Sequence, residues 1–507
     1  MNIKNIKTYI LSGILALSMS SCLDKYPEDS IRMDEAINTV GDMDKLVYGI
    51  YDSFKSSALY SGNLTILPDL QADFVYCVKG YSNAYGDIYR WKDIKATNTD
   101  IESVYAGLYG VINTANFLLD NVDKVKANTN SDKELDKLEQ YQGEAYFARA
   151  LAYSELIKCF CKAYDSDEQA EKELGVVLTE HYYGNEPQKR ATLKESYDFV
   201  LRDLDKAAEY LKVDEDFTGT LYDEIYFNEY ACHALRARVS LYMHRWDDAI
   251  KYASKVINSK YYVLASCTQK IGNTSYYQYQ WTAGKSTEGI WKVGFTVNSY
   301  GGALGTIFDN YNYVSYRPDY VPETWVINSF DANDLRAAAI FTTRTTGYEH
   351  GLQWPLLSKY FGDAEFLNNN ILHVHQPMVF RLSEQYLIRA EAYAMNGEYG
   401  KAGKDISTLR TARYSSYGGN TSMSDESSAM KIIEAERVKE LYMEGFRLND
   451  LKRWHKGFER KAADQPAANF VQSSLKVEKD DPLFVWPIPQ HELEAPGSEI
   501  QPNESNK

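Results

Sequence analysis

The feature that most restricts how this chain can fold is a repeat. The segment ALRARVSLYMHRWDDAIKYASKVI carries Ala237, Trp246, Ala249, Ala253 and Val256, and YLIRAEAYAMNGEYGKAGKDISTL carries Ala390, Tyr399, Ala402, Ile406 and Leu409. All five pairs are separated by the same 153 residues. Small residues where two helices meet, an aromatic at the start of the second helix and a short turn between them match the tetratricopeptide pattern. Hairpins of that kind bury their apolar faces only against neighbouring hairpins, so they stack into an array. Apolar residues at helical spacing predict further helices over about 31–57, 101–122, 133–161 and 192–211. Counted as two earlier pairs, these bring the total to about four hairpins. The expected fold is therefore mainly α, a superhelix of hairpins, with an unrelated helical bundle as the alternative.

Between the two repeats lies an insert of over a hundred residues, about 260–377, rich in Gly, Asn and Tyr, as in SYYQYQW, NSYGGALG and NYNYVSYRPDY. Residues 290–296 suggest a strand and 323–330 a short helix. An insertion this long without structure of its own is improbable in a compact domain unless it serves a function. A second irregular stretch, 60–96, is also aromatic. The chain holds 42 tyrosines and eight tryptophans, and many fall in these two segments rather than in the periodic ones. Tyr and Trp give much contact area for few rotatable bonds and carry a polar tip. Rings of that kind can cover the C–H faces of sugars, while Asp, Asn, Gln and Arg hydrogen-bond the hydroxyl rim. The candidate binding residues are Asp73, Tyr81, Tyr85 and Trp91 in the first segment. In the second they are Tyr277, Tyr279, Trp281, Tyr313, Tyr316 and Trp354. Trp291 and Trp325 stand in periodic apolar surroundings and are expected in the core.

The first residues, MNIKNIKTYILSGILALSMSSC, read as an export signal. Lys4 and Lys7 open it, an apolar run too short to span a bilayer follows, and Ser20 and Ser21 precede Cys22. A cysteine placed there suits acylation of its thiol, and more than one acyl chain would anchor the mature protein stably. An unlipidated signal with a chance cysteine is the alternative. The expected plan is a signal over 1–21 and one helical-array domain over 22–507. That domain has an N-terminal part over about 23–260, the insert over about 260–377, and a C-terminal hairpin and tail over about 378–507.

A formal charge of −16 argues against nucleic acid, whose phosphates demand a basic face. Besides Cys22 there are five cysteines with no regular spacing, which suggests buried free thiols rather than a disulfide framework. Hydrolase, phosphate-loop, zinc-protease and EF-hand motifs are absent from the sequence. His373 and His375 would share one face of a strand, but two ligands without a third make a poor metal site. No catalytic residue, metal or cofactor is expected. Residues 175–186 read as a loop, AERVKELYMEGFRLNDLKRW as one helix with Glu444 in reach of Arg447, and Asp450 in reach of Arg453.

Taken together, these stretches resemble the SusD/RagB family of outer-membrane nutrient-binding lipoproteins. The resemblance rests on Cys22 followed by LDKYP, on GEAYFARALAYSELIKCF, on the two repeat segments, on ERVKELYMEGFRLNDLKRW and on WPIPQHELE. It covers essentially the whole mature chain, departing only at EAPGSEIQPNE near the end. It implies a non-catalytic lipoprotein facing out of the outer membrane. Such a protein hands oligosaccharides to a SusC-type TonB-dependent transporter. Capture of peptides or another nutrient, a surface glycoside hydrolase, and a purely structural scaffold stay open as alternatives. Binding positions vary within the family, so the ten candidates rest on aromatic clustering alone.

Overall fold

The computed structural model describes residues 33–183, 188–348, 351–462 and 473–507. The stretch read as an export signal, and Cys22, lie outside the described residues.

Helix α1 (Val40–Phe54) starts at a capping box in which the Thr39 hydroxyl accepts from the Asp42 amide and the Asp42 carboxylate accepts from the Thr39 amide. Its Val40, Met43, Val47, Ile50 and Phe54 are buried at three- and four-residue spacing. After α2 (Asn63–Gln71) come α3 (Thr99–Ala127), capped by Asn98, and α4 (Asp132–Phe160). Ala145, Ala148 and Ala152 of α4 are fully buried, as close helix packing requires. Helix α5 (Leu193–Tyr210) begins at a second capping box, Thr192 with Glu195.

The repeat survives intact. Helices α6 (Glu229–Tyr242) and α7 (Trp246–Ile257) recur, after the short α8 (Tyr276–Thr282), as α9 (Leu382–Met395) and α10 (Tyr399–Arg413). Equivalent positions Ala237 and Ala390, Ala249 and Ala402, Ala253 and Ile406, and Val256 and Leu409 are all fully buried. Even the left-handed residue of the turn is shared: His244 at φ +56° in one hairpin, Gly397 at φ +74° in the other. Consecutive helices from α3 through α7 pack against one another, α7 packs on α9, α9 on α10, and α11 (Glu426–Glu440) on both. The array is thus continuous across the insert.

Five expectations are corrected. The residues read as one C-terminal helix form two, α11 and α12 (Arg447–Arg453), broken where Met443 (φ +59°) and Gly445 (φ +83°) turn left-handed. The break puts the amides of Gly445 and Arg447 on the buried Asp69 carboxylate at 2.9 and 2.7 Å. Second, Arg447 therefore leaves Glu444 and forks onto Asp73, while the Asp450–Arg453 pair does form, at 2.9 Å. Third, 175–186 is not all loop, because β2 (Leu174–Val177) pairs with β3 (Arg190–Thr192). Fourth, His373 and His375 share no strand: His373 is left-handed at φ +66°, and buried His375 pairs with Asp363. Trp325 also departs from its expected core place, being 37% exposed, while Trp291 is buried as expected. The five described cysteines are free and buried.

The insert is fastened to the array by strands and by charge. Strand β1 (Val75–Cys77) pairs with β5 (Tyr320–Pro322), and β4 (Gly289–Lys292) pairs across a bulge with β8 (Met378–Arg381), which leads directly into α9. Within the insert, β6 (Phe341–Thr345) and β7 (Gln353–Leu357) form a hairpin. Below these strands lies a fully buried ionic network. Glu440 of α11 accepts from Arg413 at 2.8 Å and from Arg336 at 2.9 Å, and Arg381 adds a third pair. Glu288 accepts from Arg381 at 3.0 Å and from Arg413 at 2.9 Å. Arg336 also holds Asp334 and Glu436, both at 2.6 Å. Charges this deep persist only when paired and fully hydrogen-bonded, so the network fixes insert and array in one register. Among the described residues, no helix is long and apolar enough to cross a membrane.

Candidate functional site

The two irregular segments meet. Beyond the β1–β5 pairing, the Ser82 amide and hydroxyl donate to Asp319 at 2.6 and 2.7 Å, and the Tyr320 hydroxyl donates to the Ala84 carbonyl at 2.6 Å. Tyr76, Val78, Val321, Trp354 and Leu356 form a small core under the junction, and Tyr81, Tyr316 and Tyr348 pack on it half-buried.

On this base stands an aromatic platform. Tyr311 and Tyr316 stack with centroids 4.5 Å apart and planes 23° from parallel. Tyr313 follows at 5.8 Å from Tyr311 and is 57% exposed, its hydroxyl donating to the Asn370 carbonyl. Phe361 backs the stack at 5.9 and 6.2 Å. The Arg344 guanidinium lies 5.2 Å from the Tyr316 ring centre, and that of Arg317 lies 5.8 Å from Tyr348. At the edge, Arg90 donates to the Tyr81 hydroxyl, which donates to the Asn83 side chain at 2.9 Å. The left-handed residues Asn83, Tyr85, Asn310, Tyr313 and Asn370 fall in the loops around this face. Non-glycine residues held in such conformations cluster where surroundings over-determine a geometry for use. Partly exposed rings beside amide and guanidinium groups can receive a flat apolar face and hydrogen-bond its rim.

One carboxyl beneath the platform is unusual. Asp309 is buried, with one carboxylate oxygen unpartnered among the described residues. Burial pushes its pKa from 3.8 up to about 8, and Arg344 offsets this only in part. An acid raised on folding contributes stability that is fully present below its unfolded value and lost as pH rises through the folded one. Asp309→Asn should therefore gain on the wild type by about 1 kcal/mol per pH unit over the window from about 4 to about 8. Urea midpoints measured across that range check it.

Of the ten sequence candidates, Tyr313 and Tyr316 stand in the platform, and Tyr81 packs on the same small core as Tyr316. Tyr85 is half-buried in the same loop as Tyr81, and Tyr279 is half-buried on α8. The other five are taken up by packing, contrary to expectation. Asp73 is forked onto Arg447 at 2.8 and 2.9 Å. Trp91 donates to the Gln71 carbonyl at 2.6 Å and sits edge-on to Phe458 and Phe484. Tyr277 is buried under Arg413, and Trp281 under Lys359, whose ammonium is 3.9 Å from the ring centre. Trp354 is 3% exposed in the junction core. The three candidate tryptophans are anchors. Tyr311, Arg317 and Arg344 were missed. Tyr311 stands in the same NYNYVSY run as Tyr313, so it could have been found by treating the run as a unit, whereas the arginines declare themselves only through their place over the rings.

A family model described as "SusD family" matches residues 268–503, and one described as "Starch-binding associating with outer membrane" matches residues 22–241. No curated protein sequence matches significantly. The fold is similar to a SusD superfamily protein from Bacteroides thetaiotaomicron VPI-5482, with a TM-score of 0.76 and 23% identity over 92% of this chain and 99% of that one. It is similar to a putative sugar binding protein from Bacteroides vulgatus ATCC 8482, at 0.74 and 23% identity over 93% and 100% of the two chains. A SusD-like carbohydrate binding protein from the same strain gives 0.73 and 19% identity over 91% and 97%.

Proposed function

The chain belongs to the SusD family, its two family matches together spanning most of its length, and on that premise we propose that it captures oligosaccharides at the cell surface and passes them to a TonB-dependent outer-membrane transporter. The observation that carries this reading is the platform of Tyr311, Tyr313 and Tyr316, rimmed by Arg344, Arg317, Tyr81 and Asn83. The described relatives named as sugar- and carbohydrate-binding proteins lend it support. Tyr85 and Tyr279 are proposed as outlying contacts. Work at such a face is capture: the rings cover the sugar's C–H faces, the polar rim fixes its orientation, and no bond is made or broken. Cys22 is proposed as the lipid attachment point that holds the mature domain, 22–507, on the outer membrane facing out.

A glycan array probed with the purified protein tests the ligand class, with binding to a set of related oligosaccharides as the expected result. An empty array alongside peptide binding would transfer the same face to peptides. Turnover of any bound oligosaccharide would make the protein a hydrolase instead. For the tether, Cys22→Ala should move the protein from the membrane to the soluble fraction, read by fractionation, while its glycan binding stays unchanged. Full retention in the membrane would remove the lipid from the proposal.

A further inference from the structure

Where the C-terminal helix α12 meets the array, a small cavity of about 20 Å³ lies between the end of α4, α5, the end of α6 and α12 itself. Its walls include Ile157, Tyr197, Tyr242, Asn449, Lys452 and Arg453. Two of these present buried donors that the protein leaves unused. The Tyr242 hydroxyl and the Asn449 side-chain nitrogen have no hydrogen-bond partner among the described residues, and the two residues are only 9% and 4% exposed. A buried donor without a partner bears its full desolvation penalty, so one kept in a native fold calls for an explanation. Lys452 adds charge. Its ammonium donates to the Lys158 and Cys161 carbonyls at 2.6 and 2.9 Å, closing the end of α4, and so uses two of its three N–H groups. The other cations around the cavity each have a carboxylate: Lys158 has Glu155, Arg238 has Glu384, Arg437 has Asp450 and Arg453 has Glu391. Lys162, at the rim, has Glu173 at 3.2 Å. Lys452 pairs with no carboxylate among the described residues, which leaves this joint with one uncompensated positive charge.

We propose that this cavity is an anion site, holding a single halide-sized ion between Tyr242, Asn449 and Lys452. Size sets the class. About 10–15 Å³ holds one water molecule, so this cavity admits one body of that size or slightly larger, and neither a phosphate nor a sugar ring. Chemistry then selects an anion over water. The three groups on offer are all donors: a phenol O–H, an amide N–H and an ammonium N–H. A water could accept from only two of them, and its own two protons would need acceptors. A halide accepts from all three and compensates the charge of Lys452. Burial, with Asp450 adding to it, pushes the Tyr242 hydroxyl up, so the phenol keeps its proton and stays a donor. Burial brings Lys452 down to about 8, which leaves it charged at neutral pH. The Arg453 guanidinium, 5.7 Å from the Tyr242 ring centre, adds to the positive field. Bound there, the ion ties α6 to α12, the helix whose Arg447 holds Asp73 of the first irregular segment. The site shares no residue with the platform and stands independently of the proposed function.

Crystals of the purified protein soaked in sodium bromide test this by anomalous diffraction at the bromine edge. A peak is expected in the cavity, in contact with the Tyr242 hydroxyl and the Asn449 amide. In solution, line broadening of the chloride NMR signal should report chloride binding, weakened about tenfold in Tyr242→Phe. That variant keeps the ring and loses only a hydroxyl that bonds nothing in the protein, so it should melt with the wild type in sodium gluconate. In sodium chloride at equal ionic strength the wild type should melt higher, and the variant should lose this gain. Bromide found only on the outer surface would mean an adventitious ion only and would overturn the site, as would a cavity that holds water and no bromide. Chloride broadening undiminished in Tyr242→Phe would overturn it equally.

Discussion

Glu440→Gln is expected to lower the free energy of unfolding by about 3–5 kcal/mol, the usual range when one partner leaves a buried charge pair. Glu440 is the shared acceptor for three fully buried arginines, Arg336, Arg381 and Arg413. An amide of the same shape keeps the volume but removes the charge, and none of the three guanidiniums can move to water. Burial by itself pushes the Glu440 carboxyl up, yet Arg413 and Arg381 together hold it well below the usual carboxylate range. Glu436 behaves alike, reaching about 2 against Arg336, Lys439 and Arg410 despite its burial. A carboxylate depressed on folding contributes stability that is present above its unfolded value, near 4.5, and lost as pH falls toward the folded one. The variant should therefore lose most at neutral pH and draw level with the wild type in acid. Urea unfolding at both pH values measures this, and a cycle with Arg413→Gln should return a coupling well above 1 kcal/mol. A loss below about 1 kcal/mol, ordinary for an exposed pair, would mean that the network does not hold the insert to the array.

The second large effect concerns binding. Tyr311→Ala/Tyr316→Ala should weaken oligosaccharide capture by about 30- to 150-fold, or about 2–3 kcal/mol, from the loss of two stacked rings and the area they cover. The rings are half-buried on a surface face, and the core below them belongs to Tyr76, Val321, Trp354 and Leu356. Helical circular dichroism should therefore remain at the wild-type level. Titration calorimetry with a glycan chosen from the array checks the figure. Undiminished affinity in the double variant would move capture off this face.

What the sequence made legible and what it did not divide along physical lines. The array was legible because small and apolar residues at helical spacing are local signals: α6, α7, α9 and α10 begin where the 153-residue offset puts them. The C-terminal break was not, because ELYMEGFRLND keeps helical periodicity, and what interrupts it is Asp69 receiving the freed amides across 376 residues. At the site, the two segments were identified, but their tryptophans were misplaced. A large ring in a polar loop looks available in sequence, and only the tertiary neighbours of Trp91, Trp281 and Trp354 reveal them as anchors. Tyr311, Tyr313 and Tyr316 are the rings left partly or fully exposed.

The contacts that complete the fold join very distant parts of the chain. Arg447 reaches Asp73 across 374 residues, Trp486 reaches Gln71 across 415, and Asn503 reaches the Phe160 carbonyl across 343. Helix hairpins close short loops and form fast, whereas contacts this remote must meet the entropy of closure before they return anything. The order of assembly follows. The short-range helix hairpins are expected to form before the contacts that join the two ends of the chain. A chain built this way leaves its joining face for last, because the contacts that make it close the longest loops.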